Sequence, residues 1–244
     1  MTRALRLRDI AWLLDVQPAG EWLEIEDRVL TARSPRQSAL HALMPTADQD
    51  RAVIVDIGLC ESDQALALLR MRPGRLAADL LYVWPPLEQA SGAALTWARV
   101  VAEACHWLGR QGTHRVYTAV ARDDRLALQV FRQVGFVVYT GDEVLCLPAL
   151  TAEEDPATEP AAGTRDGPLD PAAERAVRSM IEAGLGDAAR GHLPTAGADW
   201  DEYPLAGRAC RGILAGARLA ADGSVVGGWR VVLGRAGSWL RVAG

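Results

Sequence analysis

Gln89, Gly92 and Ala94 stand at Gln-x-x-Gly-x-Ala spacing just behind an apolar run, Leu80-Leu81-Tyr82-Val83-Trp84, that Pro85-Pro86 stops. Proline has no N–H to give a sheet ladder, so the run reads as a buried strand that ends there. The stretch Gln89-Ala90-Ser91-Gly92-Ala93-Ala94, small after its first residue, then opens a helix that runs to near Gly109. A glycine-bearing loop between strand and helix aims main-chain N–H groups at an anion, a diphosphate for example. Gly92 and Ala94 would keep side chains out of that anion's way. A plain strand-to-helix turn accounts for the same residues, so the segment after the helix has to decide.

That segment holds a second strand, Arg115 to Val120, a short helix from Asp123 to Val134, and a third strand, Gly135-Phe136-Val137-Val138-Tyr139. Within it Asp124, Ala127, Phe131, Gly135 and Phe136 stand at Asp-x-x-Ala-x-x-x-Phe-x-x-x-Gly-Phe spacing. Together the two motifs resemble those of the GNAT N-acetyltransferase superfamily. The first is similar to its Arg/Gln-x-x-Gly-x-Gly/Ala pyrophosphate loop, and the second to its Asn-x-x-Ala-x-x-x-Tyr-x-x-x-Gly-Phe segment. They occur in order, with one strand before the first and another between them.

The resemblance implies an α/β fold, a central mixed sheet flanked by helices, over residues 1–148. It implies acetyl-CoA as cosubstrate and transfer of the acetyl group to a primary amine of a small molecule or peptide. In that picture the main chain of Tyr82, Val83 and Trp84 pairs with the pantetheine arm. Gln89, Ala90, Ser91, Gly92, Ala93 and Ala94 hold the diphosphate, and Asp124, Ala127 and Phe131 belong to the same cofactor site. The sequence departs from the family at two of these positions. Phe131 stands where a tyrosine often protonates the leaving thiolate, and Asp124 stands where an asparagine helps fix the pantetheine region. A phenyl ring donates no proton, and an ionised carboxylate has no donor. A second reading therefore stays open, that of a weak or inactive acyl-CoA-binding relative with a structural or regulatory role. Asp79, on the strand before the loop, is the candidate general base. Tyr117 and Tyr139, flanking the expected cleft, are candidates to replace the missing hydroxyl.

Composition narrows the partners. The 244 residues are half hydrophobic and 23% charged, enough for one large domain or two ordinary ones. Net charge is −5 and neither half of the chain has a basic excess, so nucleic acid is not an expected partner; lysine is absent, and arginine carries every fixed positive charge. Cys60, Cys105, Cys146 and Cys210 are scattered without a C-x-x-C pair, which argues against a disulfide framework or a zinc site. His106 and His114 lack ligand spacing, so no metal is expected. The charged N-terminus and the lack of a long apolar run point to a cytoplasmic protein without a membrane segment.

Other elements must position these residues. Ala4 to Arg8 reads as a first strand, with Asp9 as N-cap of a helix Ile10 to Val16. Trp22, Leu23 and Ile25, then Ala39, Leu40, Leu43 and Met44, suggest one or two helices, with Ser34-Pro35 as a start. In the GNAT resemblance these helices wall the acceptor side, although core packing also explains Trp22. Ala52 to Ile57, Gln64 to Arg72 and Arg75 to Trp84 read as an antiparallel meander. Residues 149–168, rich in proline and acids, read as a linker. The rest, 169–244, reads as a helix near Pro171–Ala183 and three strands, Cys210 to Leu219, Ser224 to Leu233 and Ser238 to Val242. Asp222-Gly223 makes the hairpin turn between the first two. In element order this is an incomplete second copy of the front half of the first domain. Its open edge after Val242 motivates a homo-oligomer as a further partner.

Overall fold

The computed structural model describes residues 2–15, 20–23, 34–44, 50–56, 64–72, 76–87, 93–138, 164–184, 212–233 and 238–243. In chain order the elements of the first unit are β1 (Thr2–Ala4), α1 (Ile10–Asp15), β2 (Glu21–Trp22), α2 (Pro35–Ala42), β3 (Asp50–Asp56), β4 (Gln64–Met71), β5 (Ala77–Trp84), α3 (Ala93–Arg110), β6 (Arg115–Tyr117) and α4 (Arg125–Gln133). Strands β1, β3, β4 and β5 lie side by side and antiparallel. The far edge of β5 takes β6 in parallel and β2 antiparallel, so the sheet is mixed. This is the central mixed sheet flanked by helices that the sequence implies, with its strands mostly antiparallel, an α+β arrangement.

Both faces are covered, which is why β4 and β5 read as continuous apolar runs rather than alternating ones. On one face α3 and α4 bury Trp97, Val100, Val101, Leu108, Val130 and Phe131 over Val53, Val55, Leu69, Leu80 and Val83. On the other, Leu13 of α1 and Ala39 of α2 cover Ile54, Leu66, Leu68, Leu81 and Tyr82. The stripe expected on α3 is present: Val101 and Leu108 are buried, and Ala94, Ala98 and Cys105 pack against the same core. Burial pushes the Cys105 thiol up to about 11, so it stays a neutral core group. Ser34 caps α2 as its sequence suggests, accepting from the Gln37 N–H at 3.2 Å while Gln37 Oε1 accepts from the Ser34 N–H at 2.9 Å.

Five expectations change. The first strand is Thr2–Ala4, not Ala4 to Arg8, because the Asp9 carboxylate folds the chain back. It accepts from the Arg6 N–H at 2.8 Å and from both Arg3 guanidinium nitrogens at 2.5 and 2.8 Å. Residues Leu7–Asp9 therefore form a 3-10 turn, and Asp9 ends it rather than capping the next helix. Trp22, expected in a helix, lies in strand β2. Of Arg115 to Val120 only Arg115–Tyr117 pairs with the sheet. Residues 136–138 form no strand: the Phe136 N–H donates to Phe131 O at 2.9 Å, Gly135 turns at φ +99°, and the Phe136 ring packs edge-on to Phe131 at 5.1 Å.

The second unit has β7 (Thr164–Pro168), α5 (Pro171–Gly184), β8 (Gly212–Ala220), β9 (Val225–Leu233) and β10 (Ser238–Ala243). The end of the stretch expected as linker is thus a strand, antiparallel to β8. The sheet order is β10-β9-β8-β7, with α5 packed against β8–β10 and Ala173, Val177, Ala217 and Val232 buried. The Asp222-Gly223 turn is present, with Gly223 at φ +83° and the Asp222 carboxylate accepting from the Ser224 N–H at 2.9 Å. Gly216 is required: a Cβ there would fall 2.5 Å from the Trp229 ring. No described helix is long and apolar enough to cross a membrane.

Two carboxylates hold β1. Asp9 grips Arg3, and Glu103 of α3 accepts from Thr2 Oγ1. The Arg3 hydrogen bond first, then the Arg6 N–H and the neighbouring arginine charges, hold the Asp9 carboxyl below its usual range against the cost of burial. The Thr2 bond does the same for Glu103. A depressed folded pKa adds stability that is full above the unfolded value, near pH 4, and is lost as pH falls through the folded one. Asp9→Asn should therefore unfold at lower temperature than the parent at pH 7. The gap should close as melting is followed down to about pH 2; a gap independent of pH would contradict this ion-pair role.

Candidate functional site

Strand β5 carries an extra residue. Leu68 faces Tyr82 and Leu69 faces Leu80, so Leu81 has no partner on β4. A bulge of this kind bends its strand and turns two successive side chains to one face. Leu81 and Tyr82 accordingly both enter the core under α1 and α2, while Leu80 and Val83 enter the core under α3. The bulge falls where β6 leaves the sheet. Ala77, Ala78 and Asp79 pair with Arg115, Val116 and Tyr117, and beyond that point the two strands part.

The edge beyond Asp79 is nevertheless in use. Thr118 Oγ1 donates to Leu80 O at 3.1 Å, and the Leu23 N–H donates to Leu81 O at 2.9 Å. Trp22 pairs with Tyr82, and Glu21 with Val83. The Trp22 ring lies 5.4 Å from that of Tyr82, and Leu23 is buried. Tyr82 is itself fully buried, its hydroxyl against the backbone of Gly20, where an added Cβ would fall 1.9 Å away. Burial pushes that hydroxyl up to about 12, despite the Gly20 backbone and the charge of Arg36, so it stays neutral. The edge where Tyr82, Val83 and Trp84 were expected to pair with a ligand thus holds the chain's own residues.

Asp79 and Tyr117 are register partners, and Arg70 stands opposite Asp79 on β4. Ala78, Leu80 and Val116 face α3 and α4, so these three point to the other face. Asp79 is buried and gripped by Arg72, whose Nε lies 3.0 and 3.1 Å from the two carboxylate oxygens and whose Nη2 lies 2.6 Å from Oδ1. The Arg72 guanidinium also stacks 4.2 Å from the centre of the Tyr117 ring. A carboxylate buried and held by a guanidinium fork suits a structural pair better than an open base. Arg72 was not singled out by sequence; its one signal is a charge at the end of an apolar strand.

The remaining expected residues separate into two groups. Gln89, Ala90, Ser91, Gly92 and Tyr139 lie outside the described residues. Ala93 is the first residue of α3, and Ala94 packs against the core below it. Asp124 caps α4, accepting from the Ala127 N–H at 2.9 Å, and Ala127 is buried. Phe131 is buried edge-on to Trp97 at 6.2 Å. The second motif thus builds a capped helix and its core contacts. The Trp97 indole N–H donates to Pro85 O at 2.7 Å and ties α3 to the end of β5. An open hollow of about 650 Å³ is lined by Arg125, Leu128, Gln129, Arg132 and Gln133 on the outer side of α4, and by none of the expected site residues among those described.

No family model matches this sequence, and no curated protein does. A solved structure described as the crystal structure of a probable acetyltransferase is similar at TM-score 0.42 and 14% identity, covering 62% of this chain and 99% of its own. At that score nothing about this chain follows from the likeness.

Removing one partner of a buried, bidentate ion pair leaves an uncompensated charge and costs about 3–5 kcal/mol. Asp79→Asn should lower the unfolding free energy in urea by about 3 kcal/mol. A loss below about 1 kcal/mol would mean that Asp79 contributes little to stability and stands available for other chemistry.

Proposed function

We propose that the first unit is a GNAT-type acyl-CoA-dependent module that transfers an acetyl group from acetyl-CoA to a primary amine of a small molecule or peptide. The observation that carries this reading is the bulged edge of β5. It is paired with β6 only as far as Asp79, takes an extended chain, the protein's own Glu21–Leu23, from Leu81 to Val83, and leads toward the helix that begins at Ala93.

The residues present fit the chemistry of such a ligand. A pantetheine arm is an extended chain bearing amides, and this edge already accepts an extended amide chain, that of Glu21–Trp22. Acetyl-CoA, when bound, supplies the activated acyl carbon. The chain's share is main-chain alignment along Leu81–Val83 and the diphosphate contact assigned to Gln89–Ala94. Proton handling is poorly provided for: Asp79 is engaged by Arg72, Asp124 caps α4, and Phe131 carries no hydroxyl. The amine would reach the site already neutral, and its second proton would pass to solvent.

The same three residues, with the occupied edge, support the second reading, an acyl-CoA-binding relative with little or no turnover. The second unit is read as an incomplete further half of the same fold. What supports this is its strand order β7-β8-β9-β10, which runs like β1-β3-β4-β5 with a helical crossover after the first strand.

Both readings require coenzyme A binding. Ligand at 100 times its dissociation constant should add about 2.7 kcal/mol to stability. No rise in melting temperature up to millimolar coenzyme A would contradict both. If amines are acetylated, thiol release should climb with pH toward the pKa of the acceptor, near 10.4 for a lysine-like amine. A plateau near neutral pH would instead assign a protein base. Binding without release across an amine panel would select the second reading.

A further inference from the structure

We propose that Gly20–Leu23 is an internal plug, a stretch of the chain that occupies the acyl-CoA slot on β5 and must leave before the ligand's arm can pair there. This rests on the reading of that slot given above and adds its regulation. The argument is one of identity of contacts. The Leu23 N–H takes Leu81 O, and Trp22 and Glu21 pair with Tyr82 and Val83. A single strand edge offers each main-chain group to one partner at a time, so an extended ligand and β2 exclude each other.

The plug is specific and weak at once. Gly20 is the residue that lets the backbone approach the fully buried Tyr82, since any side chain there would strike the tyrosine ring and hydroxyl. Trp22 lies against the same ring, and Leu23 fills the core under α3. Against these stands a ladder of only two residues, Glu21 and Trp22, where β3 and β4 share seven pairs. A strand that short on a sheet edge is held by its side chains, and it can be exchanged for a ligand without unravelling the sheet.

The test is amide hydrogen exchange of the full chain with and without saturating coenzyme A, alongside coenzyme A titrations of the parent, Gly20→Ala and Trp22→Ala. Displacement predicts that coenzyme A speeds exchange of the Leu23 amide at least tenfold while β3 and β4 stay protected. It also predicts that each variant binds coenzyme A at least tenfold more tightly than the parent. Trp22→Ala, which adds no clash, stands in should Gly20→Ala fail to fold. Coenzyme A binding with unchanged exchange at Leu23 and equal affinity in the variants overturns the plug and leaves the acyl-CoA reading standing. No binding by the parent or by either variant overturns both.

Discussion

A sheet edge can hold one ladder, and the bulge at Leu81 determines which ladder the edge of β5 holds. On the β4 side the extra residue turns Leu81 and Tyr82 together toward α1 and α2. On the other side the register with β6 runs out at Asp79 and Tyr117. Between there and Trp84 the strand keeps its hydrogen-bonding groups but loses its parallel neighbour. An unpaired buried amide or carbonyl costs free energy comparable to a lost hydrogen bond, so the vacated edge has to be filled. Thr118 and the stretch Gly20–Leu23 fill it from within the chain.

This constraint explains why the polar residues around the edge do structural work. Asp79 sits where β6 departs, and Arg72 reaches it and Tyr117 together, closing that end of the gap with charge and a ring face. Asp124 and Phe131 lie on a helix whose N-terminus needs a cap and whose inner side needs an aromatic surface for Trp97. The partners of both are other parts of the fold.

What was legible in the sequence follows from range. Continuous apolar runs announced β3, β4 and β5, because strands buried on both faces leave no room for polar residues. Ser34-Pro35 and Asp222-Gly223 act within a few residues, and both ends formed as read. The 3.6-residue stripe on α3 was equally plain. The failures are all long-range or competitive. Nothing near Glu21–Trp22 tells that its partner lies sixty residues on, although Pro18-Ala19-Gly20 marks a break there. Gly135-Phe136-Val137-Val138 has strand composition, yet the core contact of Phe136 with Phe131 holds it beside α4. Thr164–Pro168 has the composition of a linker and pairs because β8 presents an edge to it. The expected diphosphate loop, Gln89–Gly92, lies outside the described residues.

The central claim is that main-chain groups of Leu81, Tyr82 and Val83 are the seat of an extended amide ligand. A crystal structure of the full chain with coenzyme A tests it most directly. The account predicts the arm's amides hydrogen-bonded along Leu81–Val83, with Glu21–Trp22 gone from that edge. A bound coenzyme A lying elsewhere, with Glu21–Trp22 still paired to Val83 and Tyr82, would contradict it.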